Sequence, residues 1–230
     1  MNENAEQMPK RKEINLGEGN VGKLMFRLAL PAITAQIINL LYNLVDRMYI
    51  GHLKGIGAAA LTGVGVTLPV ILAISAFAYL FSAGGAARAS IMMGKKKNDE
   101  AERILGNCTA VLILAALVLT VFFQFFGRSI LMIFGASENT IGYAWDYMQI
   151  YSLGTIFVQI ALGLNNFINA QGYAAMGMLS VIIGAGTNII LDPILMYVFD
   201  MGVRGAALAT IISQALSAVW ILAFLSSRRS

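Results

Sequence analysis

The chain has 230 residues, 58% of them hydrophobic and only 12% charged, roughly half the charged share of a soluble globular domain. Its net charge is +4, with one cysteine, Cys108, and one histidine, His52. These numbers exclude an intrachain disulfide and a metal cluster built from Cys or His, and they describe a polytopic membrane protein with basic residues at the membrane edges, not a nucleic-acid binder.

Residues 1–23 are polar and mixed in charge. They lack the apolar core of a cleaved signal and read as a cytoplasmic tail. A spanning helix needs about 20 apolar residues, and six stretches qualify: 24–50, 58–91, 101–126, 141–170, 178–199 and 206–225. The fold class expected is therefore an all-α membrane protein, with six transmembrane helices in one bundle over 24–226. Residues 227–230 begin a cytoplasmic linker or C-terminus. The second and fourth stretches exceed one bilayer crossing and are expected to tilt or to continue along the interface. Pro31, Pro69 and Pro193 lie inside spans, where a missing N–H kinks a helix and frees carbonyls.

Lysine and arginine set the orientation. Alternating the spans places Arg47, Lys54, Arg128 and Arg204 on one side and the other twelve basic residues, including Lys95, Lys96 and Lys97, on the opposite side. Both termini are then cytoplasmic, in a cell inner membrane.

Ionisable residues at membrane depth are costly and mark function. On the first span, Gln36, Asn39, Tyr42, Asn43 and Asp46 recur at intervals of three and four, so they share one face expected to look into the bundle. Asp46 lies roughly 8 Å below the outer end at 1.5 Å per residue. On the fifth span, Asn188 and Asp192 are one turn apart, with Asp192 roughly 12 Å deep. Pro193 follows it. On the sixth, Thr210, Ser213 or Gln214, and Ser217 form a polar face, with Thr210 roughly 10 Å deep.

Two carboxyls, an amide and a hydroxyl thus meet at one depth. Oxygen donors of this kind suit a hard cation such as Na⁺, and a buried carboxyl pair equally suits proton exchange. Asp46, beside Arg47, also fits an anchor at the interface; Asp192 is deeper and has no adjacent base. An intramembrane aspartyl protease would pair two aspartates as well. Its YD and GxGD contexts are absent, since Val45 precedes Asp46 and Leu191 precedes Asp192.

Five segments in order resemble the multidrug and toxic compound extrusion (MATE) transporters: LALPAITAQIINLLYNLVDRMYIGHL, GGAARASIMMGKKKNDEA, LNNFINAQG, TNIILDPILMY and GVRGAALATIISQ. The resemblance implies two six-helix lobes around a central cavity, exporting small organic, often cationic, compounds in exchange for Na⁺ or H⁺. No other cofactor and no enzymatic activity are implied. It also implies an amino-terminal lobe whose cation site matches Asp46, Asn188, Asp192 and Thr210, with the carbonyl of Ala206 adding a ligand. Asn39 stands where some relatives carry Gln; Asn39, Tyr42, Asn43 and Asn166 are expected to line the cavity. At the inner end of the fourth span Asn169 and YAAMG replace the family's basic residues. Family members are roughly twice this length, so the partners expected beyond membrane lipids are a second six-helix lobe or a second copy. Six spans is an even number, and two copies would insert in parallel. A truncated or half transporter without activity of its own is the alternative.

Overall fold

The computed structural model describes residues 21–227; residues 1–20 of the tail expected over 1–23, and the last three residues, lie outside it, while residues 21–23 open the first helix. Helix occupies every one of the six predicted stretches, and no strand occurs among the described residues. In chain order these are α1 (Val21–Gly51), α2 (Gly57–Val66), α3 (Leu68–Gly94), α4 (Asn98–Ile133), α5 (Ile141–Leu153), α6 (Thr155–Ala170), α7 (Ala174–Pro193) with a π-helical turn (Ile194–Val198), and α8 (Gly202–Leu225). Four helical segments are long and apolar enough to cross a membrane: Gly57–Gly94, Asn98–Ile133, Ala174–Val198 and Gly202–Leu225. The α5–α6 pair makes a fifth when taken as one span. α1, 31 residues long, stands outside that set.

Of the two overlong stretches, the second carries an irregular turn within one long span and the fourth is sharply bent. In the second, Pro69 sits in the first turn of α3. It cannot donate to the preceding turn, and it disfavours helical geometry at Leu68. The chain resets at Thr67, whose hydroxyl donates to the Val64 carbonyl at 2.7 Å while its own carbonyl accepts from Val70 and Ile71.

In the fourth stretch the break falls at Gly154, and α5 and α6 meet at 61°. Ile211 of α8 packs where a Cβ at Gly154 would stand, so only glycine permits this crossing. Carbonyls beside the bend are satisfied from α4: Gln124 Nε2 donates to the Gln149 carbonyl at 2.9 Å, and Thr120 donates to the Ser152 carbonyl at 2.8 Å. Inside a membrane an irregular turn survives only with such donors.

Lipid offers no hydrophobic force between helices, so close approach and polar contacts must hold the bundle. Buried alanines supply the first, among them Ala60, Ala78, Ala116, Ala144, Ala206, Ala207 and Ala209. Polar contacts tie α3 to α6: Gln159 Nε2 donates to the Ile74 carbonyl at 2.8 Å, Asn166 Nδ2 to Ser82 at 2.7 Å, and Ser90 to the Ala170 carbonyl at 3.1 Å. Across the bundle, Ser217 of α8 donates to the Ser180 carbonyl of α7 at 2.9 Å. Each such bond contributes about 0.6–2 kcal/mol. α1 packs chiefly along α7 and leaves Leu30, Ile33, Leu40 and Leu44 exposed on its other side.

Candidate functional site

The site forms where α1, α7 and α8 run together, with α5 closing one flank. Asp192 is fully buried, Asn188 is 1% exposed, and Asp46 and Thr210 are nearly as covered. The Asn188 amide links two helices. Its Nδ2 donates to Asp192 Oδ1 at 3.2 Å, and lies 3.5 Å from Thr210 Oγ1, at the long end of a hydrogen bond. Thr210 donates in turn to the Ala206 carbonyl at 3.0 Å. Helix spacing accounts for the two bonds within a helix, since residues four apart stand one above the other.

The Asp46 carboxyl of α1 stands beside Asp192, close enough for the two groups to interact. The four residues singled out from sequence, with the Ala206 carbonyl, are therefore brought together by the fold. Three of their oxygens, Asp46 Oδ1, Asn188 Oδ1 and Asp192 Oδ2, are buried without a hydrogen-bond partner. Buried polar atoms are nearly always paired, and all three of these are acceptors. Two neighbouring carboxyls buried away from water also favour a positive charge between them. The arrangement suits a shared proton or a small hard cation.

Beside this cluster a cavity of about 40 Å³ runs between α1, α6, α7 and α8, lined among others by Asn39, Tyr42, Asn165, Ser180, Ser213 and Ser217. It holds roughly one water molecule's share of liquid volume. Asn39 and Tyr42 thus line it. Asn43 does not: it is exposed on α1, and its amide donates to the Asn39 carbonyl at 2.7 Å. Gln36 is exposed as well. The expected single inward face of α1 is split for a geometric reason. At about 100° per residue, Asn39, Tyr42 and Asp46 cluster within an arc of roughly 60°, while Gln36 and Asn43 fall beyond its edge. Asn166 also stands away from the cavity, held by Ser82 of α3, and its neighbour Asn165 occupies the lining position and donates to Ser180 at 3.3 Å.

One group the sequence did not single out is Tyr147 of α5. It is buried beside Thr210 and stacks on Tyr151 with ring centroids 6.0 Å apart. Its neighbour Asp146 pairs with Arg204 of α8 at 2.8 Å, fastening α5 to α8 just outside the cluster.

A family model described as MatE matches residues 31–194, which covers α1 through α7 and includes Asp46, Asn188 and Asp192. The chain belongs to the MatE family. Among MatE relatives, the multidrug export protein MepA of Staphylococcus haemolyticus (strain JCSC1435) is 29% identical over 211 residues, 92% of this chain and 46% of that protein. MepA of Staphylococcus aureus (strain MSSA476) is 28% identical over 209 residues, 89% of this chain and 45% of that protein. A MATE transporter solved in a bent conformation superposes with a TM-score of 0.84 at 26% identity, over 92% of this chain and 47% of that one. An outward-facing multidrug resistance MATE family transporter of the MOP superfamily gives 0.85 at 25% identity, over 92% and 46%. The chain spans about half the length of the curated MatE relatives it matches.

Proposed function

We propose that this chain is one lobe of a cation-coupled antiporter that exports small organic, often cationic, compounds across the cell membrane. α1 serves as a sixth span, both termini face the cytoplasm, and the coupling ion is Na⁺ or H⁺. Asp192 is the principal coupling carboxyl and Asp46 its partner; Asn188, Thr210 and the Ala206 carbonyl are neutral ligands. The observation that carries this reading is the set of three partnerless buried oxygens on Asp46, Asn188 and Asp192. The export proteins among its relatives support the substrate class.

Coupling follows from charge. With the cation bound between them, the repulsion of the two carboxyls is offset and α1 stays against α7. With the cation gone, two like charges repel in a low dielectric, so α1 is driven to swing or bend about Pro31. Ion entry from outside and substrate release then compete through the position of one helix. The second lobe, or a second copy in parallel, completes the central cavity.

The test is efflux of a fluorescent cationic dye from proteoliposomes containing this chain, under imposed Na⁺ or pH gradients. Efflux driven by one gradient is expected and identifies the ion. The half-length match favours a second reading, a half transporter inactive by itself. No efflux from well-inserted protein, with efflux restored by adding a second lobe, would establish that reading instead.

A further inference from the structure

The facing inner ends of α3 and α4 enclose an open groove of about 610 Å³, separate from the carboxyl cluster and lined by Gly84, Gly85, Arg88, Glu100, Arg103 and Asn107 among others. Its chemistry is strongly one-sided. Glu100 is already paired with Lys97 at 2.8 Å. Among the described residues, neither Arg88 nor Arg103 has a carboxylate within ion-pair distance. The two arginines come from different helices, yet they stand at matched depth. Arg88 is six residues before the end of α3 and Arg103 five after the start of α4, each roughly 8–9 Å in from its helix end. Gly84 presents no side chain, and nothing stands within 4 Å of where its Cβ would be, so the groove that Arg88 and Arg103 line is open there.

We infer that this groove binds the phosphate of an anionic phospholipid headgroup, held between the Arg88 and Arg103 guanidinium groups with the Asn107 amide as a third donor. A guanidinium presents paired N–H donors that match two phosphate oxygens. Arginines roughly two turns inside a helix end snorkel to headgroup level, and basic pockets between membrane helices take anionic headgroups. The lipid's acyl chains would lie along Ile104 and the exposed apolar flank of α4, where Leu114, Leu117 and Val118 face outward. A free phosphate ion shares the headgroup's chemistry but has no use for that flank. Lipid binding here needs only that α3 and α4 end at a membrane surface, so it is independent of the ion coupling proposed above.

The experiment uses the full chain in detergent and counts bound lipid by native mass spectrometry during titration with phosphatidylglycerol, phosphatidylcholine or inorganic phosphate. One phosphatidylglycerol is expected to bind at least tenfold more tightly than phosphatidylcholine. Arg88→Gln/Arg103→Gln should abolish that preference, while Lys95→Gln/Lys96→Gln, in the adjoining turn, should keep it. Should the double variant fail to fold, each single glutamine variant is expected to weaken phosphatidylglycerol at least threefold. Equal binding of the two lipids, or full preference retained in the arginine variants, overturns the inference. So does displacement of phosphatidylglycerol by inorganic phosphate at equal concentration, which would make the groove a site for the free anion.

Discussion

Asp192 differs from every other acidic side chain among the described residues in having no exposure and one oxygen without a partner. Asp192→Asn keeps the shape and removes the charge. Gradient-driven dye efflux is expected to fall to background while the protein still reaches the membrane at normal levels, checked together by efflux and by membrane immunoblot. Persistent coupled efflux would move the coupling role to another residue. Tyr147→Phe removes only a hydroxyl. Loss of that polar group beside Thr210, on the order of 0.5–1.5 kcal/mol where one hydrogen bond is lost, should weaken cation binding up to about tenfold, read as a rightward shift in the ion dependence of efflux. Asn188, Asp192 and Thr210 were legible in sequence because polar and charged groups inside an apolar helix are too costly to face lipid. Tyr147 was not, because a tyrosine near a span's outer end is also what an interfacial anchor looks like. Choosing Asn165 over Asn166 for the cavity required the phase of α6, which is set by the bend at Gly154 rather than by the α5 pattern.

The same limit holds for the helices themselves. Helix occupies all six stretches read from hydropathy, and up to five of them are apolar enough to cross a membrane, because length and apolarity are one-dimensional properties. Hydropathy could not locate the bend at Gly154, which depends on what packs against it, whereas the irregular turn at Thr67 follows from Pro69 nearby in the chain. Gly154 accommodates Ile211 of α8, and the carbonyls near it find Gln124 and Thr120 of α4. None of these partners is near in sequence. Gly205 is similar: a Cβ there would lie 2.7 Å from the Leu195 carbonyl carbon and 2.9 Å from the Met196 nitrogen. Both are backbone atoms that cannot rotate aside. Gly205→Ala should therefore cost about 1–3 kcal/mol through overpacking, seen as a lower apparent Tm in detergent. Because Ala206 follows directly, cation affinity should fall in the same variant. An unchanged Tm would mean that α8 can shift outward freely at this crossing.

For the molecule as a whole, the distribution of basic residues makes a topological prediction. The Gly94–Lys97 turn should lie in the cytoplasm and the turn that follows Gly51 outside. In a Cys108→Ser background, an impermeant maleimide is expected to label Lys54→Cys in intact cells, and to label Lys96→Cys only after permeabilisation. The reverse pattern would invert the protein and place the carboxyl cluster near the cytoplasmic surface. The outward side of α1 raises the other question at this scale. Its exposed leucines and isoleucine suit lipid and a helical partner equally, and the sequence pattern is the same for both.

The π-helical turn after Pro193 sets a constraint of a different kind. Phe199 N donates to the Ile194 carbonyl five residues back, and Tyr197 donates to the Tyr49 carbonyl at 2.6 Å at the C-terminal end of α1. Met201 N then donates to the Leu195 carbonyl, and Asp200 and Gly202, both at positive φ, turn the chain into α8. Deleting one residue from this stretch would give a more regular helix. It would also rotate everything downstream by about 100° and draw it in by about 1.5 Å, carrying Tyr197 off α1 and turning Thr210 away from Asn188. What is fixed between Pro193 and Gly202 is the number of residues more than their identity. Substitutions at outward-facing Val198 and Phe199 should be absorbed there, whereas a single-codon deletion should not.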